Sequence, residues 1–489
     1  MVVGSGPNGL AAAVTLTAAG LQVLVIEGAA RPGGGCRTEE RTLPGFRHDT
    51  CSSAHPLALA SPFFRRFDLA ARGVRLLQPE LPFAHPLDGG RAAAAHRSVA
   101  ETAAGLGADG PRYRRLFAQL AEAPDDLVAF VLGSGPRLPH RPWGLAAFLR
   151  HGLDSAASLA GGFSGVEARA LFAGIAAHAI RPLSSRPTAG VGLLLGSLAH
   201  AVGWPVVEGG SSRLTDAMVA AVVAGGGRVE TGRWVGSLRE LPPARAVLLD
   251  VTPRALVGLA GGRLSARYRR ALERFRYGAG VCKVDFALAG PVPWANPDCR
   301  RAGTLHLGGT FEEVAAAEAA VARGEHPSSP FVLAIQAGVV DPSRAPDRGH
   351  TLWTYCHVPA GSSTDMTGRI EAQVERFAPG FRELVLAHTT RTAAALERDD
   401  PNYVGGDIAA GRQDLRQSVF RPTLRWDPHR TPLPGVFLCS ASTAPGPGVH
   451  GLCGALAART ALRTEFGIRD APDLAPRPVN RGPISASTR

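Results

Sequence analysis

Within its first 27 residues the chain runs from Met1-Val2-Val3 into Gly4-Ser5-Gly6-Pro7-Asn8-Gly9, through an alanine-rich stretch over 10–19, to Val23-Leu24-Val25-Ile26-Glu27. That order of strand, glycine turn, helix and strand predicts a Rossmann-like βαβ start. Gly4 permits the tight turn, Gly6 lets backbone N–H groups approach a pyrophosphate, and Gly9 allows the helix to pack closely on the strand. Ser5, Pro7 and Asn8 complete the turn, and Glu27 is placed to accept a hydrogen bond from a ribose hydroxyl. A GxGxxG alone is a weak signal. The flanking strand, the helix and the acid ending the second strand give it the setting a dinucleotide needs.

Just past Glu27 the chain adds a second glycine cluster, Gly33-Gly34-Gly35, followed by Cys36 and Arg37. Two glycine turns on one ligand suit a long cofactor, FAD rather than NAD. At these residues the sequence resembles the flavin-dependent amine oxidase and phytoene desaturase superfamily, which carries a Gly-Gly pair shortly after the ribose-binding acid. The superfamily places an Arg directly after that pair. Here Gly35 stands in that place and Arg37 follows two residues on, so Arg37 is the candidate for that role.

Near the other end, residues 434–440 read as a strand that closes on Ser440, and Ala444-Pro445-Gly446-Pro447-Gly448-Val449-His450-Gly451-Leu452 leads into a helix. Gly446, Gly448 and Gly451 formally spell a second GxGxxG. A second nucleotide domain needs a βαβ unit of about 30 residues or more, and the chain beyond the helix shows no strand pattern. The turn is read instead as a closing flavin contact through Ser440, Gly448, Val449, His450 and Gly451, with a helix N-terminus aimed at the cofactor. Desaturase-like enzymes use a similar segment this way.

Further stretches resemble the phytoene-desaturase-like branch of that superfamily: 42–56 (TLPGFRHDTCSSAHP), 281–294 (VCKVDFALAGPVPW), 351–359 (TLWTYCHVP) and 402–407 (NYVGGD). With both ends, the resemblance spans almost the whole chain. It implies an α/β fold in which a discontinuous Rossmann-like FAD/NAD(P)-binding domain is joined to an α+β substrate domain of mixed sheet and helical cap. It also implies that Val235 lies near the adenine.

The length of 489 residues suits two interleaved domains. The net charge of +12 invites a nucleic-acid reading, but Lys283 is the only lysine, and the arginines are scattered without aromatic interleaving. No nucleic-acid partner is expected. Seven cysteines lie far apart with no CxxC, which suggests neither a disulfide framework nor a zinc site. The sequence opens on a strand with no room for a signal peptide, and no stretch of about 18 residues is free of polar breaks. A cytoplasmic protein is expected, with peripheral membrane contact left open. Because three residues make a short central strand, the natural start is expected a few residues upstream of Met1.

The flavin domain is expected to come from residues 1–85, 206–275 and 405–470. A helical cap is expected over 86–205, a mixed sheet over 276–404, and a disordered tail over 471–489. Within the cap, residues 143–150 read either as a short amphipathic helix resting on a bilayer or as ordinary buried structure.

A flavin supplies the hard chemistry of C–H or C–N oxidation, so catalytic side chains are few. Lys283 stands on an apolar strand whose alternation puts it on one face with Asp285 and Ala287. Buried there, it is a candidate to hold a water or activate oxygen, or else to form a salt bridge to Asp285. His450 is a candidate proton carrier beside the C-terminal turn or a loop-bracing residue. His178, on a helix over 166–180, is a candidate to line the substrate cavity or a satisfied core residue. His48, Asp49 and His55 lack ligand spacing, so no metal is expected. Cys439 and Cys453 are candidates for a covalent flavin link or inert buried thiols.

The sequence therefore predicts an FAD-dependent desaturase-like dehydrogenase abstracting hydride from a largely apolar small molecule, with quinone or oxygen as the electron acceptor. Flavin amine oxidation and a non-redox flavin protein, such as a polyene isomerase or a structural partner, are the alternatives.

Overall fold

The structure is a computed structural model that describes residues 1–133 and 142–476. Short apolar runs with no polar face, Val2–Val3, Leu24–Ile26, Val247–Leu249 and Val436–Leu438, are buried on both sides, as parallel strands covered by helices must be. With Arg228–Glu230 they form a parallel sheet in the order 436–438, 247–249, 2–3, 24–26, 228–230. The two-residue strand Val2–Val3 is central and pairs on both sides. Met1 prolongs its ladder, since the terminal amine donates to the Ala246 carbonyl at 2.9 Å.

The helix Pro7–Ala18 starts with proline in its first turn, where the missing N–H costs nothing, and is almost wholly buried. Its small residues let the helix Leu452–Glu465 approach very closely. A Cβ on Gly454 would lie 1.7 Å from the Asn8 carbonyl oxygen. The first and last segments of the chain are thereby locked together beside the glycine turn.

The second sheet runs in the order 385–391, 280–288, 350–358, 332–335, 302–307, 81–86, 92–95, and its one parallel pair joins 302–307 to 81–86. Alternation along its strands makes two cores. Val281, Leu333, Ile335, Trp353 and Tyr355 face the helical cap. Cys282, Val284, Phe286, Leu352 and Cys356 face the helix Thr367–Phe377.

Several boundaries differ from the sequence reading. The chain leaves the nucleotide-binding unit before residue 85, because Leu81–Pro86 and Ala92–Ala95 are strands of the mixed sheet. Pro82 and Pro86 hide the first from a pattern search, although its Phe83 and Ala84 pair with neighbours on both sides. The helix expected over 166–180 ends at Ala176, and a 3₁₀ turn over Ala177–Ala179 carries His178. The expected tail is docked at its start. Leu474 is buried, and Arg72 donates to its carbonyl at 2.9 Å; residues 477–489 lie outside the described part. The helix Pro142–His151 forms where one was read over 143–150, with Leu149 half exposed; the Trp143 side chain lies outside the described residues. Among the described residues no helix is long and apolar enough to cross a membrane.

Candidate functional site

A cavity of about 640 Å³ opens where the carboxyl ends of the parallel strands meet the cap-facing side of the mixed sheet. One half is lined by Gly4-Ser5-Gly6-Pro7-Asn8, Glu27, Gly34, Gly35, Arg37, Val235, Asp250, Ser440, Gly448 and Val449. The other half is lined by side chains such as Leu194, Leu195, Ile335, Trp353 and Tyr355, with His178 on its wall.

The glycine turns are as tight as the sequence demands. A Cβ on Gly9 would lie 2.2 Å from the Gly4 carbonyl oxygen, one on Gly6 2.9 Å from Asp250 Oδ2, and one on Gly34 2.9 Å from the Gly6 Cα. The second glycine turn therefore packs against the back of the first. Glu27 braces the pair: Oε2 accepts from the Ser5 N–H at 2.8 Å, and Oε1 accepts from the Ala29 N–H at 2.8 Å. Beside it Trp234 lies so close to Gly28 that a Cβ there would meet its ring at 2.7 Å. The buried Asn8 Oδ1 has no hydrogen-bond partner. A glycine cradle at a helix N-terminus and an acid at the end of the second strand fit a dinucleotide, with Glu27 toward the ribose and residues 4–8 toward the pyrophosphate.

Asp250, which the sequence reading missed, closes this half. It follows the strand Val247–Leu249 as Glu27 follows its own strand, a parallel that gains meaning once the two strands are seen in one sheet. Its Oδ2 accepts from the Gly9 N–H at 2.8 Å. Burial pushes its carboxyl up to about 7 against that hydrogen bond, with the charges of Asp400 and Glu27 adding to the rise. Trp234, Cys36, Cys51 and Tyr403 also line the cavity without having been singled out. Arg37 Nε donates to the Gly34 carbonyl at 3.0 Å, on the cavity wall.

At the C-terminal turn, Ser440 Oγ donates to the Val251 carbonyl at 2.7 Å, which joins this turn to the loop after Asp250. Gly448, with φ +124°, presents its backbone to the cavity. Gly451 does not. It starts the helix Leu452–Glu465 against Phe63 and Ala11, outside the cavity wall. Gly9 and Gly33 are likewise packing positions behind the lining.

The candidate catalytic residues separate. His450 is fully buried off the cavity; its Nδ1 accepts from the Leu452 N–H at 3.0 Å, and burial drops its imidazole to about 4. It braces the turn and does not face the site. Lys283 also fails to reach the cavity. It ion-pairs with Asp285, and its Nζ lies 5.2 Å from the ring centroid of Trp353, whose side chain is on the lining. Burial lowers its ammonium to about 8 against the pull of Asp285. Strand alternation gave its face correctly, but the neighbouring strand's tryptophan covers it. Cys439 and Cys453 are buried off the cavity, and burial raises both thiols, so neither is placed for a covalent link.

His178 does line the cavity. Its Nε2 lies 3.0 Å from His306 Nε2, and burial, followed by the charge of His357, holds it near 3. His55 lines the cavity too, with Nε2 2.8 Å from Ser211 Oγ. Asp49 is committed to Arg344 at 3.0 Å, and His48 Nδ1 lies 3.7 Å from Asp285.

The family model of the NAD(P)-binding Rossmann-like domain matches residues 2–67. Over 95% of its length the chain is 26% identical to pyridine nucleotide-disulfide oxidoreductase domain-containing protein 2 of Rattus norvegicus, 93% of which is covered. An oxidoreductase from Methanosarcina mazei has a TM-score of 0.60 at 16% identity, over 95% of this chain and 99% of that one. Putrescine oxidase bound to putrescine has a TM-score of 0.58 at 19% identity, over 95% and 97% respectively. The chain thus has a Rossmann-like NAD(P)-binding unit at its N-terminus, shares its fold with these solved structures, and is similar over nearly its full length to pyridine nucleotide-disulfide oxidoreductase domain-containing protein 2.

Proposed function

We propose that the protein is an FAD-dependent oxidoreductase that removes hydride from a largely apolar small molecule in the manner of desaturases, with quinone or oxygen as the final acceptor. Bound FAD would supply the redox chemistry. Residues 4–8, Glu27, Gly34 and the 447–449 turn would hold it, while the cap and mixed sheet would hold the substrate and exclude water.

One observation carries the choice of substrate. The cavity wall away from the glycine turns includes Val191, Leu194, Leu195, Leu333, Ile335 and aromatic rings, with neutral polar groups such as Thr304 beside them. An ammonium substrate gains about 0.5–2 kcal/mol from an aromatic face. Removing it from water without a counter-charge costs several kcal/mol. The balance favours an uncharged, apolar substrate. Trp353 and Tyr355, edge to face at 5.2 Å, nevertheless present aromatic surface there, so amines belong in the same screen.

The test starts from the absorption spectrum of the purified protein. Acid precipitation should release a flavin to the supernatant, and anaerobic addition of polyenes should bleach it. Absence of flavin after reconstitution would overturn the cofactor assignment, and bleaching by amines alone would overturn the substrate class. A flavin that no reductant substrate bleaches would favour a non-redox role.

A further inference from the structure

Residues 415–426 carry five apolar side chains into solvent: Leu415, Val419 at 67% exposure, Phe420, Leu424 at 74% and Trp426 at 101%. Five exposed large apolar side chains within twelve consecutive residues mark a place of contact. Its setting says what it contacts. The segment packs beside the helix Ala266–Glu273, where Arg425 lies over the Tyr268 ring at 5.5 Å. The Arg276 N–H donates to Gln417 Oε1 at 2.8 Å, which ties the two elements together. Arg269 pairs with Glu273, and Arg276 pairs with Asp414. Among the described residues Arg267, Arg270, Arg274, Arg416 and Arg425 are exposed and form no salt bridge. Exposed Trp, Leu and Phe set among unpaired arginines match an interface of headgroups and acyl chains carrying negative charge.

The segment also adjoins the cavity. Leu415 comes two residues after the cavity-lining Gln413. Arg421, buried beneath the apolar segment, donates to the carbonyl of Ala410, another lining residue, at 3.0 Å. We propose that residues 415–426, with the arginine-rich helix 266–273, dock the protein on an anionic lipid surface. The proposal does not depend on the identity of the cofactor.

Co-sedimentation of the full-length protein with phosphatidylcholine vesicles, with and without phosphatidylglycerol, tests it. The wild type should bind the phosphatidylglycerol vesicles and dissociate as salt rises. The double variant Leu424→Ser/Trp426→Ser removes only exposed side chains and should weaken binding about tenfold or more, with the circular dichroism spectrum unchanged. Arg270→Gln/Arg274→Gln should weaken it without abolishing it. Three results would overturn the assignment: no binding to either vesicle, equal binding by the serine variant, or a concentration-dependent dimer in solution that the serine variant dissolves. The last would give this face to a second copy of the chain.

Discussion

Asp250 is the group whose replacement should change the protein most informatively. Its carboxyl is raised from 3.8 to about 7, first because it is buried, with the charges of Asp400 and Glu27 adding to this against the Gly9 hydrogen bond. A carboxyl raised in the fold binds its proton more tightly there than in the unfolded chain. Its contribution is therefore fully present below pH 3.8 and is lost as pH climbs through 7. About three pKa units correspond to roughly 4 kcal/mol as an upper limit, which relaxation and water penetration would reduce to about 1–3 kcal/mol. In Asp250→Asn the amide oxygen still accepts from the Gly9 N–H and carries no charge at any pH. Urea unfolding of nucleotide-stripped protein should then show the variant more stable than wild type by about 1–3 kcal/mol at pH 8 and by less than half of that gap at pH 5, with unchanged m-values. Other titrating groups are common to both proteins and cancel in the difference. A stability gap that is the same at both pH values, or larger at pH 5, would refute the reasoning.

Further outcomes follow from the same geometry. Gly9→Ala places a Cβ 2.2 Å from the Gly4 oxygen, so it should cost more than about 2 kcal/mol and empty the dinucleotide site, read as lost flavin absorbance on purification. Lys283→Met strands the buried Asp285 and should destabilise the protein by about 3–5 kcal/mol, while the spectrum of bound flavin stays that of the wild type. Adding Asp285→Asn should recover part of that loss, and a shifted flavin spectrum in Lys283→Met would return the lysine to the site. His450→Gln should lower Tm through the turn it braces and leave substrate reduction of the flavin intact, as measured by stopped-flow bleaching.

What the sequence made legible was local. The glycine turn, the acid at Glu27 and the glycine pair at Gly33-Gly34 are steric demands of a few consecutive residues, and their spacing shows in the chain. The alternation of strand runs with helical stretches was legible as changes of hydrophobic period. The burial of Lys283 was not, because strand alternation gives the face of a side chain but not what the next strand lays over it. Here that is Trp353, more than sixty positions away. His450 was opaque for a different reason. Its position beside a flavin-type turn is compatible with either ring nitrogen facing the cavity, and only the bonds to Gly446 and Leu452 show that both are used within the loop. Asp250 was missed because an acid after a strand has meaning only once that strand is known to lie beside the first one.

With Lys283 tied to Asp285 and His450 tied to its turn, His178 is the imidazole left among the three candidates to meet a substrate, and its environment limits what it can do. Burial and the charge of His357 hold it near 3, and its partner His306 lies well below its ordinary range. Across roughly pH 5–8, where a free imidazole titrates, both rings stay neutral. Under the proposed function, His178 would therefore act on substrate as a neutral ring and would carry no proton that appears in the pH profile. The anaerobic rate of flavin bleaching by saturating substrate should have no imidazole limb in that window. His178→Asn should change that rate, or the affinity for substrate, by the same factor at pH 5.5 as at pH 7.5. A limb near pH 6.5 in the wild type that disappears in His178→Asn would show that the ring takes up a proton during turnover, and the assignment of His178 as a neutral positioning residue would fall.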